Sequence, residues 1–234
     1  DGIDVLSGLD GGVAGLKIGI LEEGFAEPIQ PEVADGVLAA IATLERLGAE
    51  VRRISVPAHV ELAGAYAGLV FEGALSVFQS GFFGFGAVTH YPASVITAID
   101  RMWSQHADLL PARTKLNLLV GLLARRNFHG GVYAKAHNMR KAYTAAFDRA
   151  LAEVDVLALP TVRTVAPFPD TIPADHLAAV DMNLRQNWML LPVAGNTKPT
   201  NYTGHPALAV PCGKAAGLPI SLQLIGRHLD DGLL

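Results

Sequence analysis

The chain has 234 residues, half of them apolar and 17% charged, enough to bury one large core or two small ones. Its formal charge of −4, with Arg52-Arg53 and Arg125-Arg126 as isolated basic pairs, excludes an electrostatic nucleic-acid surface. One cysteine, Cys212, excludes an internal disulfide and fits a reducing, cytoplasmic compartment.

Leu16 to Leu21 is a short apolar run around one lysine and reads as a buried strand. Glu32 to Leu47 carries Val33, Val37, Ile41, Leu44 and Leu47 at helical spacing, with Pro31 to start the helix and Gly48 to cap it. Glu50 to Val56 reads as a second strand, so the opening is a βαβ unit with parallel strands. Val60 to Leu151 is rich in Ala, Leu, Arg and Lys and reads as several helices, broken at Gly81 to Gly86, Pro92 and Pro111. Within it the apolar run Leu116 to Ala124 contains Asn117 and is far short of the about 20 residues a bilayer requires. No membrane contact is expected. The clearest helix is Val132 to Leu151.

Asp155 to Pro160 is a further buried strand, Pro167 to Pro173 a loop, and Leu177 to Leu191 a helix. Asn196 to His205 then reads as an irregular loop. Ala207 to Val210 is a short strand stopped by Pro211, Gly213 and Gly217 flank a turn, and Ile220 to Ile225 is the last strand. His228 to Leu234 has the look of a helix beginning. The order points to one α/β layer fold with a helical insertion. A first residue Asp1 and an unfinished last helix are expected of a fragment cut at both ends.

A serine hydrolase needs a nucleophile, a base and oxyanion donors. None of Ser7, Ser55, Ser76, Ser80, Ser94, Ser104 or Ser221 sits in a G-x-S-x-G elbow or in a glycine run with a second serine. Cys212, in Val-Pro-Cys-Gly, matches no thiol-protease neighbourhood. No H-E-x-x-H, cysteine pair or tight His/Asp cluster is present, and the expectation is no metal and no cofactor. His228 with Asp230-Asp231 reads as a helix cap. No catalytic residue is assigned within the chain.

Four blocks in order resemble the amidase signature family. They are Gly15-Leu-Lys-Ile-Gly19 with Glu22 to Phe25; Tyr133-Ala-Lys-Ala-His-Asn138 with Arg140, Tyr143 and Phe147; Asp155-Val-Leu-Ala-Leu-Pro-Thr161 with Ala166-Pro167; and Asn201, Thr203-Gly-His-Pro206, Pro211, Gly213, Gly217-Leu-Pro219 and Gln223 to Gly226. The resemblance covers the C-terminal half of one such domain, expected over residues 1–234. It implies a mixed, mainly parallel sheet flanked by helices. It also implies hydrolysis of R-CO-NH2 to acid and ammonia through an acyl-serine, with a second serine relaying the proton to an uncharged lysine. The glycine/serine-rich segment that carries those groups has no counterpart in these 234 residues, so the chain alone is expected to be inactive.

What this portion is expected to supply is part of the pocket for a small amide. Thr161 and Val162 follow one strand, Thr197, Asn201, Tyr202 and Thr203 occupy the long loop, Trp188 is an apolar wall and Ile225 faces the same space. Leu191-Pro-Val-Ala-Gly195 offers no acid to grip a glutamine amino group. A broad-specificity amidase, of the sort associated with nitrile metabolism, is therefore preferred to the A subunit of a glutamyl-tRNA amidotransferase. A non-catalytic, partner-binding half is the remaining alternative. A homodimer is the default assembly.

Overall fold

A computed structural model describes residues 11–81, 90–167, 173–175, 177–182, 184–185 and 195–234. The chain divides into two compact units: one comprises Asp1–Ala63, Arg140–Asp170 and Asn187–Leu234, the other Gly64–Met139 and Thr171–Gln186. The helical residues expected as an insertion form most of the second.

The first unit holds a five-stranded sheet ordered β2-β1-β3-β5-β4. Its strands are β1 (Lys17–Leu21), β2 (Glu50–Ile54), β3 (Val156–Pro160), β4 (Ala207–Ala215) and β5 (Leu218–Ile225). β1 lies parallel to both β2 and β3, with Ile18 opposite Val51 and Val156. β5 then runs antiparallel to β3 and to β4. The sheet is mixed as expected, parallel in its first half and antiparallel in its second.

Alternation along the strands sorts the core into two faces. Ile18, Val156, Ala158 and Leu222 share one face and pack with Val37 and Ile41 of α1 (Pro31–Arg46). Burying a Val or Ile of this kind contributes about 1.5–3 kcal/mol. Pro31 opens α1 and Gly48 closes it at φ +103, as the sequence indicates. On the other face stand Leu157, Leu159, Gln223 and Ile225, all nearly inaccessible.

Three expectations for the C-terminal region need correction. The segment before β4 is not an irregular loop, because Lys198–Thr203 forms a short helix with Pro199 in its first turn. β4 does not stop at Pro211. It continues to Ala215 through a bulge between Pro211 and Gly213, which lets a proline sit in an edge strand. The last residues form a 3-10 turn, Asp231–Leu233.

A one-turn helix, α2 (Ala58–Glu61), and a 17-residue helix, α3 (Ala63–Gln79), follow β2. Together Ala58–Gln79 has the length and composition of a membrane span, with mean hydropathy 1.3, which Leu116 to Ala124 lacks. The stretch is broken at Leu62, and it carries Glu72, which is 1% exposed. In the second unit α3 is joined by α4 (Ala93–His106), α5 (Ala112–Phe128) and the first part of α6 (Gly131–Leu151). Gly121 of α5 lies so close to α3 that a Cβ there would stand 2.3 Å from the Phe71 carbonyl oxygen. The Lys198–Thr203 helix is α7.

Candidate functional site

In open α/β sheets the usual ligand crevice lies beyond the carboxyl ends of the parallel strands. Here β1 and β3 end side by side, β1 running into the turn Glu22–Phe25 and β3 into Thr161. The chain at Gly195–Thr197 crosses this rim. Asn196 fixes it there.

Asn196 is fully buried and spends both ends of its amide. Its Nδ2 donates to the carbonyls of Gly24 (2.9 Å), in the turn after β1, and Pro160 (2.6 Å), the last residue of β3. Its Oδ1 accepts from Arg163 Nε at 3.2 Å and from His59 Nε2 at 3.0 Å. Gln223 Nε2 donates to the Asn196 backbone carbonyl at 3.1 Å. Arg163 also donates to the Glu23 carbonyl at 2.9 Å, and the Glu23 carboxylate accepts from Val56 N at 2.8 Å and from the Ser55 hydroxyl. Five segments distant in sequence are tied at one point. A buried polar network tied together in this way restricts the rim to one arrangement.

The expected pocket residues fall into separate groups. Thr161 and Val162 lie at this rim, Thr161 N donating to the Ser221 carbonyl at 3.0 Å. The Thr161 hydroxyl is buried and has no hydrogen-bond partner among the described residues, while Val162 is 38% exposed. Thr197 adjoins Asn196 and accepts on its carbonyl from Asn201 Nδ2 at 2.9 Å, with Asn201 itself exposed. Beside them Lys198 has a pKa held below its ordinary value by burial and then by Arg163.

Tyr202, Thr203 and Ile225 stand elsewhere. Ile225 pairs with Leu157, so it lies toward the start of β3 and not its end. Tyr202 is 1% exposed and meets Tyr143 edge-on at 5.9 Å. The Thr203 hydroxyl donates back to the Pro199 carbonyl at 3.0 Å and lies 2.8 Å from His205 Nδ1. Trp188 lies outside the described residues. Asn196, Arg163, His59 and Gln223, which build the rim, do not stand out as site residues in the sequence. The available signal is a polar residue inside an apolar strand, as in Ile-Ser-Leu-Gln223-Leu-Ile.

No tight His/Asp cluster is visible in the sequence, yet Asp148, His205 and His228 converge in space, with one ligand atom from each lying within 4.8 Å of the others. That cluster sits by the His205 end of the segment, away from Asn196.

A family model described as Amidase matches residues 5–234. The A subunit of a glutamyl-tRNA(Gln) amidotransferase from a Roseiflexus species is 34% identical over 232 residues, 99% of this chain and 45% of the relative. An enantioselective amidase from Rhodococcus rhodochrous is 31% identical over 224 residues, 93% of this chain and 41% of the relative. Among solved structures, a 6-aminohexanoate cyclic dimer hydrolase with bound substrate aligns with TM-score 0.72 at 18% identity, over 94% of this chain and 43% of the other. A bacterial aryl acylamidase aligns with TM-score 0.68 at 21% identity, over 99% and 44%. The chain spans less than half the length of the curated relatives it matches.

Proposed function

This chain belongs to the amidase family, and on that premise we propose that it forms part of an enzyme hydrolysing carboxylic amides, R-CO-NH2, to the acid and ammonia. In this reading the chain contributes one wall of the acyl pocket. The serine nucleophile, its relay serine and the lysine base belong to the portion of the relatives that these 234 residues do not span. The absence of any serine in a glycine-rich nucleophile segment supports that division of labour.

One observation carries the pocket assignment. The Thr161 hydroxyl is buried at the carboxyl end of β3 without a partner among the described residues, and a buried hydroxyl left so costs about 1–3 kcal/mol. A substrate amide or carbonyl group is a suitable partner. Val162 offers an apolar surface beside it, and the Asn196 network holds Thr197 across from it. Asn201 extends the same wall. Tyr202, Thr203 and Ile225 stand apart from this wall, Ile225 at the other end of β3.

Replacing Thr161 by Val removes the hydroxyl at constant shape. In the whole enzyme kcat/KM toward a neutral amide should fall about tenfold, the worth of roughly one hydrogen bond, with Tm unchanged or raised. Unchanged kcat/KM would remove Thr161 from the pocket.

A second reading has its own support, since several matched relatives are A subunits of glutamyl-tRNA(Gln) amidotransferases. The acid-free stretch Leu191-Pro-Val-Ala-Gly195 favours an uncharged acyl group instead. Ammonia release from glutamine, stimulated by a second protein, would favour the amidotransferase. Release from simple neutral amides without a partner favours the amidase.

A further inference from the structure

We propose that Asp148, His205 and His228 form a binding site for a transition-metal dication of the zinc class, acting as a staple between three segments of the first unit. Asp148 lies in the last turn of α6, His205 just before β4 and His228 just after β5.

One ligand atom from each of the three side chains lies within 4.8 Å of the others. The Thr203 hydroxyl hydrogen points at the Pro199 carbonyl, 3.0 Å away. In the tautomer that binds a metal, the Thr203 oxygen accepts from His205 Nδ1 at 2.8 Å and the ring carries its hydrogen there. In the neutral ring Nε2 is then a bare lone pair. It faces Asp148 Oδ1, another lone-pair donor, at 3.2 Å. Two lone pairs opposed at that distance can share one cation. In the metal-free protein a proton on Nε2 gives a plain hydrogen bond to Asp148, and a bound metal ion takes its place.

The geometry agrees with this. Ligand atoms at about 2.0–2.2 Å from a tetrahedral zinc stand roughly 3.3 Å apart, close to the separation of His205 Nε2 and Asp148 Oδ1. The His228 ring centroid is 4.1 Å from that of His205, and His228 is exposed, so it can turn in as third ligand while the fourth position stays open to water. Two imidazoles and one carboxylate form a donor set for zinc, cobalt or nickel and not for magnesium. The Thr203 hydroxyl fixes the His205 tautomer and ring plane, as a supporting hydrogen bond does for metal-bound histidines.

The test uses the whole protein stripped with EDTA, titrated with Zn2+ by calorimetry and with Co2+ by visible absorption. One equivalent should bind, with Co2+ bands of a four- or five-coordinate site and a rise in Tm. His228→Ala and Asp148→Asn alter exposed side chains, so both variants should fold, bind about tenfold or more weakly and lose the Tm rise. Mg2+ should do nothing. No zinc uptake by the wild type would overturn the proposal, and so would uptake that both variants retain unchanged.

Discussion

His59 Nε2 lies 3.0 Å from Asn196 Oδ1 although 137 residues separate the two along the chain. Asn196 Oδ1 also accepts from Arg163, so it is the carbonyl oxygen, and His59 must carry its hydrogen on Nε2. His59 Nδ1 is left buried with no partner among the described residues, so protonating it would place a charge where nothing receives the new hydrogen. Desolvation accordingly lowers the His59 pKa to about 4 from an ordinary 6.5, Arg163 adding to the effect and Asn196 and Glu23 opposing it.

Because the folded pKa lies below the unfolded one, the unfolded chain binds more protons between those values. Stability is therefore full above pH 6.5 and falls as pH drops from 6.5 toward 4. The loss is up to about 3 kcal/mol, at 1.36 kcal/mol per unit. Urea melts of the wild type and His59→Gln across this window should converge at low pH. Parallel pH profiles would show that His59 is not the titrating group.

Asn196→Ala should destabilise the first unit by about 3 kcal/mol or more, since it strips partners from the Gly24 and Pro160 carbonyls, Arg163 and His59 together. Asn196→Asp should not rescue it. A carboxylate oxygen in place of Nδ2 would confront two carbonyls that require a donor. Denaturant midpoints of both variants check the claim, and a near-native midpoint for the aspartate would refute it.

Glu72 anchors the second unit. Its Oε2 accepts from Tyr133 N at 2.7 Å, at the first turn of α6, where free N–H groups and the helix dipole favour a carboxylate. Glu72→Ala should cost about 1–3 kcal/mol and speed hydrogen exchange at the start of α6. Protected amides there would contradict the assignment.

β4 is an edge strand with Ala207, Leu208, Ala209, Val210 and Pro211 exposed in sequence. Unpaired, apolar edges recruit other strands. This polypeptide by itself should aggregate, and Val210→Lys should raise its soluble fraction several-fold. A sharp cooperative melt of soluble wild-type monomer would remove the premise.

The sequence makes β1, α1, β2 and β3 legible because each is a local signal: apolar period, proline start, glycine stop. The Asn196 hub is not legible there, since its partners at Gly24, His59, Pro160, Arg163 and Gln223 are joined only by the sheet. The full length of β4 is hidden because Pro211 is a strand-breaker unless the strand lies at an edge and bulges, and that depends on topology. The Asp148–His205–His228 cluster is hidden for the same reason, its members coming from a helix, a connecting segment and a strand's end.

Arg227 reaches back to donate to the carbonyls of Leu151 and Val154, both at 3.0 Å, and to Asp155 at 3.1 Å. These groups form the turn that carries α6 into β3, yet their donor lies 76 residues later than Leu151. As the polypeptide emerges from a ribosome, that turn is made long before the guanidinium that completes it. The middle of the sheet therefore waits on the last strand, and nascent chains paused before Arg227 should be the ones that chaperones hold.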